Sequence, residues 1–390
     1  MARINKAAAT KVASKVAPQV AAKSVAKPAV KVAAKPKTKV ALPKVLGVGI
    51  IGAGGIARSV HIPGYQKLAD VKVVAVSDPV EAARKGAEEM GVENTYADFR
   101  EMLKRDDIQV ISVTTPNFLH AEAAIAALEA GKHVLCEKPL AMNPQEGEAM
   151  VEAARRSGGK LMCGFHFRFT SEVQMLQKFA AKGTFGDMYY TRVQALRRRG
   201  IPSWGFFTSK EKNGGGPLID IGVHMLDSAM HVLGFPKVVA VSGQTYQKFG
   251  KRKDVVGLFG QWDYKNFTVE DFASAYVRFE NGGTLVLESS FVAEQEESEK
   301  MSFQIFGDKG GAQYNPLKMF REENMTLLDI TPKFLPHVEQ PHAAQIESFV
   351  NSVRNDTPVF TPGEEALEIT RIIDGIYRSG EAGREVRFDD

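Results

Sequence analysis

The sequence contains only two cysteines, Cys136 and Cys163, among its 390 residues. Neither belongs to a C-x-x-C pair, so we expect neither a disulfide framework nor a structural zinc site, and a reducing compartment is favoured. Apolar runs are also short. The longest, at 45–57, is interrupted by five glycines, whereas a membrane-spanning helix needs roughly 18 apolar residues. We therefore predict a cytoplasmic protein that does not contact a membrane.

Acidic and aromatic residues are absent from residues 1–44, which are mostly Ala, Lys, Val and Pro. This segment carries Arg3 and ten lysines, which leaves 39 basic against 46 acidic residues in the remainder. The net charge of +4 therefore comes from the tail, and the acidic body gives no reason to expect nucleic-acid binding. We predict that residues 1–44 are disordered, because they cannot bury enough apolar surface to fold.

Two further interpretations of this tail are an organelle transit peptide and a weak contact with nucleic acid or another anionic surface. No uninterrupted apolar segment follows its charged start, so a secretory signal is not expected.

A glycine-rich turn follows the first predicted strand, at 45–51. Residues 52–57 match the pattern G-x-G-x-x-A, in which Ala53 is the first intervening residue. The residues predicted to bind a cofactor are Gly52, Gly54, Gly55, Ile56 and Ala57. In such a pattern the first glycine permits a tight turn, the second lets the backbone approach a pyrophosphate, and the last small residue allows close helix packing. The following helix presents free N–H groups to the phosphates.

A second predicted strand, at 71–77, ends at Asp78. A carboxylate at this position accepts hydrogen bonds from the adenosine ribose and repels a 2′-phosphate. The sequence therefore predicts NAD as cofactor in preference to NADP, although Asp78 before Pro79 is also typical of an ordinary turn.

Strands and helices continue to alternate up to about residue 165. Strands are predicted at 110–113 and 133–136, with helices at 80–90, 98–105 and 120–130. Repeated β-α-β units indicate a doubly wound parallel sheet, which binds ligands beyond the carboxyl ends of its strands. Two predicted loops there carry polar or constrained residues, namely Thr115, Pro116, Asn117 and His120 in one, and Glu137 and Lys138 in the other. An exposed loop can also carry such residues without a chemical role.

These motifs, together with Gly214-Gly215-Gly216-x-x-x-Asp220-x-Gly222-x-His224, resemble the Gfo/Idh/MocA oxidoreductases over residues 45–390. The resemblance implies a Rossmann domain with NAD or NADP and a second α/β domain. It also implies that Lys138, Asp220 and His224 are catalytic, and that the two strand-end loops bind the cofactor.

The chemistry of these three residues agrees with that role. Four positions separate Asp220 from His224, so on an α-helix they share a face. Histidine can take a proton near neutral pH, where its usual pKa is about 6.5, and an ionised Asp220 within reach would raise that pKa. Lys138 could stabilise charge on a substrate oxygen. Asp220, His224, Asp227 and His231 could instead be a polar helix strip or a row of metal ligands; we expect no metal.

Two other residues are candidates for substrate binding. Arg168 aligns with an arginine near the substrate cleft of the family, although His166 beside it replaces the usual Asn. Trp204 follows a run of arginines and could stack on a sugar face, or anchor a loop or subunit contact. His61, His337 and His342 suggest no function from the sequence alone.

Beyond about residue 165, long alternating strands are predicted at 187–197, 237–248, 271–280, 283–293, 300–307 and 325–330, and helices at 342–354 and 363–379. We expect a large, open, mostly antiparallel sheet with helices on one face. The other face would need a cover, so we expect a homodimer or homotetramer. The predicted domains are therefore a 45–165 Rossmann domain and a 166–390 substrate and oligomerisation domain.

The sequence thus predicts an oxidoreductase that transfers hydride between a nicotinamide cofactor and a sugar, sugar derivative or cyclitol. One alternative is a glycosidase that retains NAD for transient oxidation and elimination. Another is a non-catalytic dinucleotide-binding regulator, which would not need the three candidate catalytic residues.

Overall fold

The structure is a computed structural model that describes residues 42–388. The predicted disordered tail therefore lies almost entirely outside the described residues. Within residues 42–388, no helix is both long and apolar enough to cross a bilayer.

The described chain alternates between strands and helices and carries two sheets. The strands are β1 (Leu46–Ile51), β2 (Val71–Ser77), β3 (Thr95–Tyr96), β4 (Val110–Val113), β5 (His133–Cys136), β6 (Leu161–Cys163), β7 (Met188–Arg197), β8 (Val238–Tyr246), β9 (Phe272–Phe279), β10 (Thr284–Ser290), β11 (Glu299–Gly307), β12 (Gly311–Tyr314), β13 (Lys318–Glu323), β14 (Thr326–Ile330) and β15 (Val386–Arg387). The α-helices are α1 (Ile62–Gln66), α2 (Glu81–Glu88), α3 (Phe99–Leu103), α4 (His120–Glu129), α5 (Pro144–Ser157), α6 (Ser171–Ala181), α7 (Lys210–Asn213), α8 (Val223–Leu233), α9 (Pro341–Asn355) and α10 (Gly363–Ala382).

The first sheet is parallel and six-stranded, in the order β3-β2-β1-β4-β5-β6. Every residue of β1 is buried, as expected for a strand covered by helices on both faces. The predicted doubly wound sheet is confirmed, and the predicted bounds of β2, β4 and β5 match the structure. Strand β6 was not predicted, because three residues are too few for a hydrophobic pattern.

The second sheet has nine strands, in the order β14-β13-β12-β11-β7-β10-β9-β8-β15. All six predicted strands are present, and the mostly antiparallel arrangement is confirmed. The exception lies at the centre of the sheet, where β7 and β10 are parallel. Every second residue of β9 is buried, whereas Tyr276 on its opposite face, like Val286 on β10, stays partly exposed.

The C-terminal helices return to the first half of the chain. Ile346 and Phe349 of α9 belong to the same buried cluster as Leu46 and Ile62. Helix α10 packs against α5 and β8, and therefore also bridges the two halves. The end of the chain thus brings residues of α9 beside the first sheet.

Candidate functional site

The glycine turn after β1 leaves space for a ligand. Gly52 has φ +96°, and a Cβ there would lie 2.8 Å from the Thr114 carbonyl group, so glycine is required. A Cβ added to Gly54 or Gly55 would meet no described atom within 4 Å. This open side, at the start of the helical turn Ala57–His61, fits the pyrophosphate of a dinucleotide.

Asp78 lies at the end of β2 and is tied to the same turn. Its Oδ2 accepts a hydrogen bond from the Ala53 N–H at 2.8 Å, and its Oδ1 accepts one from the Val80 N–H at 2.8 Å. A carboxylate oxygen has more than one lone pair, so both oxygens can still accept hydrogen bonds from ribose hydroxyls. The turn and the predicted ribose-binding group therefore form one unit.

His120 and Asn117, which were predicted to contact the cofactor, bind protein groups instead. The His120 ring is buried, with Nδ1 2.8 Å from the Pro139 carbonyl oxygen and Nε2 2.9 Å from that of Thr115. The Asn117 amide donates to the carbonyl and side-chain oxygens of Asn213, both at 2.9 Å. We therefore assign both side chains to positioning the loops. The Thr115 hydroxyl is buried without a hydrogen-bond partner among residues 42–388 and remains available to a ligand.

Glu137 likewise turns inward. Its carboxylate lies 2.9 Å from His61 Nε2, and His61 Nδ1 lies 3.1 Å from the Ser112 hydroxyl. Burial is the largest single influence and would raise the pKa of Glu137, but the hydrogen bond with His61 and the nearby His61, His342 and Lys138 together outweigh it and lower the pKa to about 2. Glu137 is thus a buried anion next to Lys138, and we propose that its carboxylate supports the loop that carries Lys138.

Lys138 and Asp220 meet across the two halves of the chain. Lys138 Nζ donates to Asp220 Oδ1 at 2.9 Å and to the Asp220 carbonyl oxygen at 3.1 Å. Asp220 lies in a π-helical turn, Leu218–Gly222, that precedes α8. The sequence predicted one α-helix for Asp220 and His224, but only His224 lies in α8, whereas the carboxylate of Asp220 pairs with Lys138 from the wider π-helical turn.

The glycines before this turn are tightly packed. A Cβ on Gly215 would lie 2.0 Å from the Tyr377 hydroxyl, and one on Gly216 would lie 2.2 Å from the Glu270 carbonyl oxygen. Neither glycine therefore leaves open space for a substrate. They let the Asp220 turn approach its supports closely.

Glu270 is the main support of this turn and was not among the predicted site residues. Its buried carboxylate accepts hydrogen bonds from the N–H groups of Gly216 at 2.9 Å and Leu218 at 3.2 Å, and from the Tyr377 hydroxyl at 2.8 Å. No local motif marks this glutamate, because its partners lie far away in the sequence.

His224 is buried in the first turn of α8. Its Nδ1 has no hydrogen-bond partner among the described residues. Burial lowers the pKa of His224, and the charge of Lys138 lowers it further. The ring is therefore neutral at pH 7 and able to accept a proton.

Two other histidines complete this cluster. The His166 ring lies 4.9 Å from that of His224 in an edge-on arrangement, and it stacks on His342 with centroids 3.7 Å apart. Burial lowers the pKa of His166 to about 3 and also lowers that of His342. The sequence could not place His342 here, because only the packing of α9 against the first sheet brings it to the site.

Arg168, which was predicted to bind substrate, is a buried structural cation. Its side chain is fully buried, its Nε and Nη2 donate to the two oxygens of Asp227 at 2.9 and 2.6 Å, and its Nη1 pairs with Glu365. Burial raises the pKa of Asp227 to about 6, although the guanidinium opposes the shift. We therefore replace the substrate-binding assignment of Arg168 with a packing role.

We expect Arg168→Met to lower the free energy of unfolding by about 3–5 kcal/mol, because Asp227 would be left buried without its partner. Urea unfolding measures this loss. The exposed Arg198 provides the control, and Arg198→Met should change stability by less than about 0.5 kcal/mol. Unchanged stability with weaker sugar binding would restore Arg168 to the substrate site.

Trp204 lies on the surface, 57% exposed, with its ring centroid 5.8 Å from that of Phe259. A neighbouring aromatic, Phe206, contacts Phe118 beside the Asn117 loop, with centroids 6.0 Å apart. The Trp204 face is therefore accessible and lies in the segment that packs on the first domain.

Among residues 42–388, no group of three or more His, Cys, Asp or Glu side chains is arranged to hold a metal ion. The acidic members of the row considered above are engaged elsewhere, Asp220 with Lys138 and Asp227 with Arg168.

Comparisons with known proteins agree with this geometry. Residues 46–165 match the oxidoreductase family with an NAD-binding Rossmann fold, and residues 179–388 match its C-terminal α/β domain. The chain is 40% identical to the D-glucoside 3-dehydrogenase of Escherichia coli over 344 residues, which cover 88% of this chain and 97% of that protein. It is 32% identical to the levoglucosan dehydrogenase of Pseudarthrobacter phenanthrenivorans over 293 residues, covering 69% and 73% of the two chains.

Solved structures show the same fold. An oxidoreductase domain protein from Kribbella flavida superposes with a TM-score of 0.78 at 26% identity, covering 89% of this chain and all of that one. A levoglucosan dehydrogenase in complex with NADH superposes with a TM-score of 0.77 at 25% identity, covering 88% and 98%.

Proposed function

The chain belongs to the Gfo/Idh/MocA family of NAD-binding oxidoreductases, and we propose that it oxidises a secondary hydroxyl group of a sugar or glycoside with NAD. The observation that carries this proposal is the pairing of Lys138 with Asp220, together with a His224 close enough for the charge of Lys138 to lower its pKa. Similarity to dehydrogenases of D-glucosides and levoglucosan supports a sugar substrate over a cyclitol.

Each of the three residues has a distinct task in this reaction. His224 accepts the proton of the reacting hydroxyl, for which its neutral ring is suited. Lys138 stabilises negative charge that develops on that oxygen, and Asp220 holds the ammonium group in place. A bound NAD supplies the hydride acceptor for the hydrogen on the same carbon. The products are a ketone, NADH and one proton, and the reverse reaction uses the same groups.

The glycine turn, Asp78 and the unpartnered Thr115 hydroxyl are the groups that would hold the dinucleotide. Trp204 offers an exposed face for stacking on the sugar ring or its aglycone.

A panel of methyl glycosides, free sugars and inositols, assayed with NAD by NADH absorbance, tests this function. We expect net NADH formation with at least one glycoside or sugar. Release of the aglycone without net NADH would indicate the NAD-retaining glycosidase instead, and NAD binding without turnover of any compound would favour the regulator.

Asp78 should control the choice of cofactor. We expect Asp78→Ser to lower kcat/KM for NAD by about 10- to 100-fold, because charge-assisted hydrogen bonds to the ribose are lost, and to raise it for NADP. Arg84, which donates to the Asp78 carbonyl oxygen at 2.7 Å, supplies a cation beside this position. The exposed Glu81 nearby provides the control, since Glu81→Ser should leave both values unchanged. A wild type that prefers NADP would contradict this role of Asp78.

The partly exposed face of the second sheet is the surface that we propose for self-association. Its side chains include Tyr276 and Val286, which alternate with buried neighbours. Light scattering should give a mass of two or four times the 42.6 kDa chain, and Val286→Lys should lower it. A wild-type monomer would exclude this assembly.

We also assign the protein to the cytoplasm, because Cys136 and Cys163 are both free thiols in the buried part of the first sheet. Cell fractionation tests this assignment.

A further inference from the structure

His166 and His342 are far apart in the sequence and meet beside His224. His166 follows β6, and His342 lies in the first turn of α9. Their rings stack at 3.7 Å with an angle of 17° between planes, and the edge of His166 faces His224. Both residues are only partly buried, so the pair keeps accessible surface and forms a wall beside His224.

Stacking covers one face of each ring but not the ring edges, where the nitrogen atoms lie. Among residues 42–388, the ring nitrogens of His342 make no hydrogen bond, whereas the His166 ring is hydrogen-bonded to the Gly164 backbone and keeps its second nitrogen for a ligand. One turn further along α9, Gln345 is fully buried, and neither its amide nitrogen nor its amide oxygen has a partner within the same described part of the chain. Buried polar groups are normally satisfied by protein, water or ligand, so this wall has unused hydrogen-bonding capacity.

The charges of the site restrict what can bind there. Lys138 is paired with Asp220, Arg168 with Asp227 and Glu365, and Glu137 with His61. A neutral imidazole has one donor and one acceptor nitrogen, which matches a hydroxyl group that both donates and accepts. An anionic group, by contrast, would meet no uncompensated cation among these residues.

We propose that His166 and His342 form a second subsite, which binds a hydroxyl group of an uncharged sugar at a carbon other than the one oxidised. This inference rests on the proposed sugar oxidation and narrows it. The substrate is a neutral polyhydroxylated ring, such as a simple glycoside, and sugar phosphates and uronic acids are excluded. The two histidines are binding residues that select and orient the ring, while His224 takes the proton.

His342→Phe tests the subsite, because phenylalanine can keep the stack on His166 but has no ring nitrogen. With methyl β-D-glucopyranoside and NAD, we expect KM for the glucoside to rise about 3- to 10-fold, the value of one hydrogen bond. The values of kcat and of KM for NAD should stay close to wild type. The exposed His337 provides the control, and His337→Phe should behave as wild type.

Monodeoxy analogues of the glucoside distinguish hydrogen bonding from packing. One analogue lacks the hydroxyl group that the two histidines bind. With this analogue, wild type and His342→Phe should have the same kcat/KM, because neither enzyme can form the hydrogen bond. His166→Phe gives a second variant in which the other ring is replaced, and its deficit should vanish with the same analogue. Methyl glucuronide should be a poor substrate for the wild type.

An unchanged KM in both variants, or the same deficit with every analogue, would overturn the subsite while wild-type glucoside oxidation keeps the proposed function intact. Efficient oxidation of the glucuronide would also overturn it. If the wild type oxidised no glycoside or sugar at all, the proposed function would fail, and the subsite with it.

Discussion

Lys138→Met should lower kcat by about 10²–10³-fold, the usual cost of removing one preorganised group that stabilises developing charge. Methionine keeps much of the apolar stem but cannot donate to Asp220, which now accepts from Lys138 Nζ at 2.9 Å. Steady-state kinetics with NAD and an oxidised glycoside measure this loss, and thermal unfolding shows whether the variant is folded.

The same variant has a second expected effect on the pH profile. The charge of Lys138 contributes to the low pKa of His224. Removing it should raise that pKa, and the acid limb of kcat/KM should move to higher pH. The exposed Lys104 gives a matched control, since Lys104→Met removes a lysine charge from the first domain without touching the site. Near wild-type turnover in Lys138→Met would remove Lys138 from the mechanism.

His224→Asn should abolish most of the oxidation, because an amide cannot accept the substrate proton at any pH used for assay. General-base catalysis typically contributes about 10²–10⁴-fold, so a loss in this range is expected. The residual rate should no longer show the ionisation of His224. His337→Asn is the control, as His337 is exposed and far from these motifs in the sequence.

The sign of the pH dependence follows from the environment of His224. Only the neutral ring accepts a proton, so the oxidative rate rises as pH increases through the pKa of His224. Burial and Lys138 both lower this pKa, so the limb should lie below the usual value of about 6.5. A limb at or above that value, or one that persists in His224→Asn, would assign the base to another group.

The elements best predicted from the sequence are those with a strong local pattern. Strand β1, the glycine turn and Asp78 lie close together in sequence, and each has a residue type that its position requires. Short elements such as β6 and β15 have too few residues to show a pattern and depend on neighbouring strands. The parallel pairing of β7 with β10 could not be predicted, because the sequence pattern of a strand is the same whether its neighbour is parallel or antiparallel.

Site residues follow the same division. The motifs predicted Lys138, Asp220 and His224 as catalytic residues, but not that Asp220 pairs with Lys138 from a π-helical turn. The expected upward shift of the His224 pKa by Asp220 was therefore wrong in direction. His342 and Glu270 act through contacts between distant parts of the chain.

For Arg168, the position within the motif predicted substrate binding, but its side chain has a structural role. Asp227 and Glu365 lie in other elements, and only the fold shows that they form salt bridges with the Arg168 guanidinium. A charged residue within a motif typical of a substrate site can thus be a buried part of the core.

Transfer of deuterium tests the central claim most directly. Methyl glucosides carrying a single C–D bond, at each secondary carbon in turn, would be incubated with the enzyme and NAD, and the NADH would be analysed by mass spectrometry and NMR. We predict that one labelled position, and only one, delivers its deuterium to nicotinamide C4, and that Lys138→Met and His224→Asn slow this transfer by the factors given above. Ketone formation without deuterium in the NADH would contradict direct hydride transfer, and with it the account of this site.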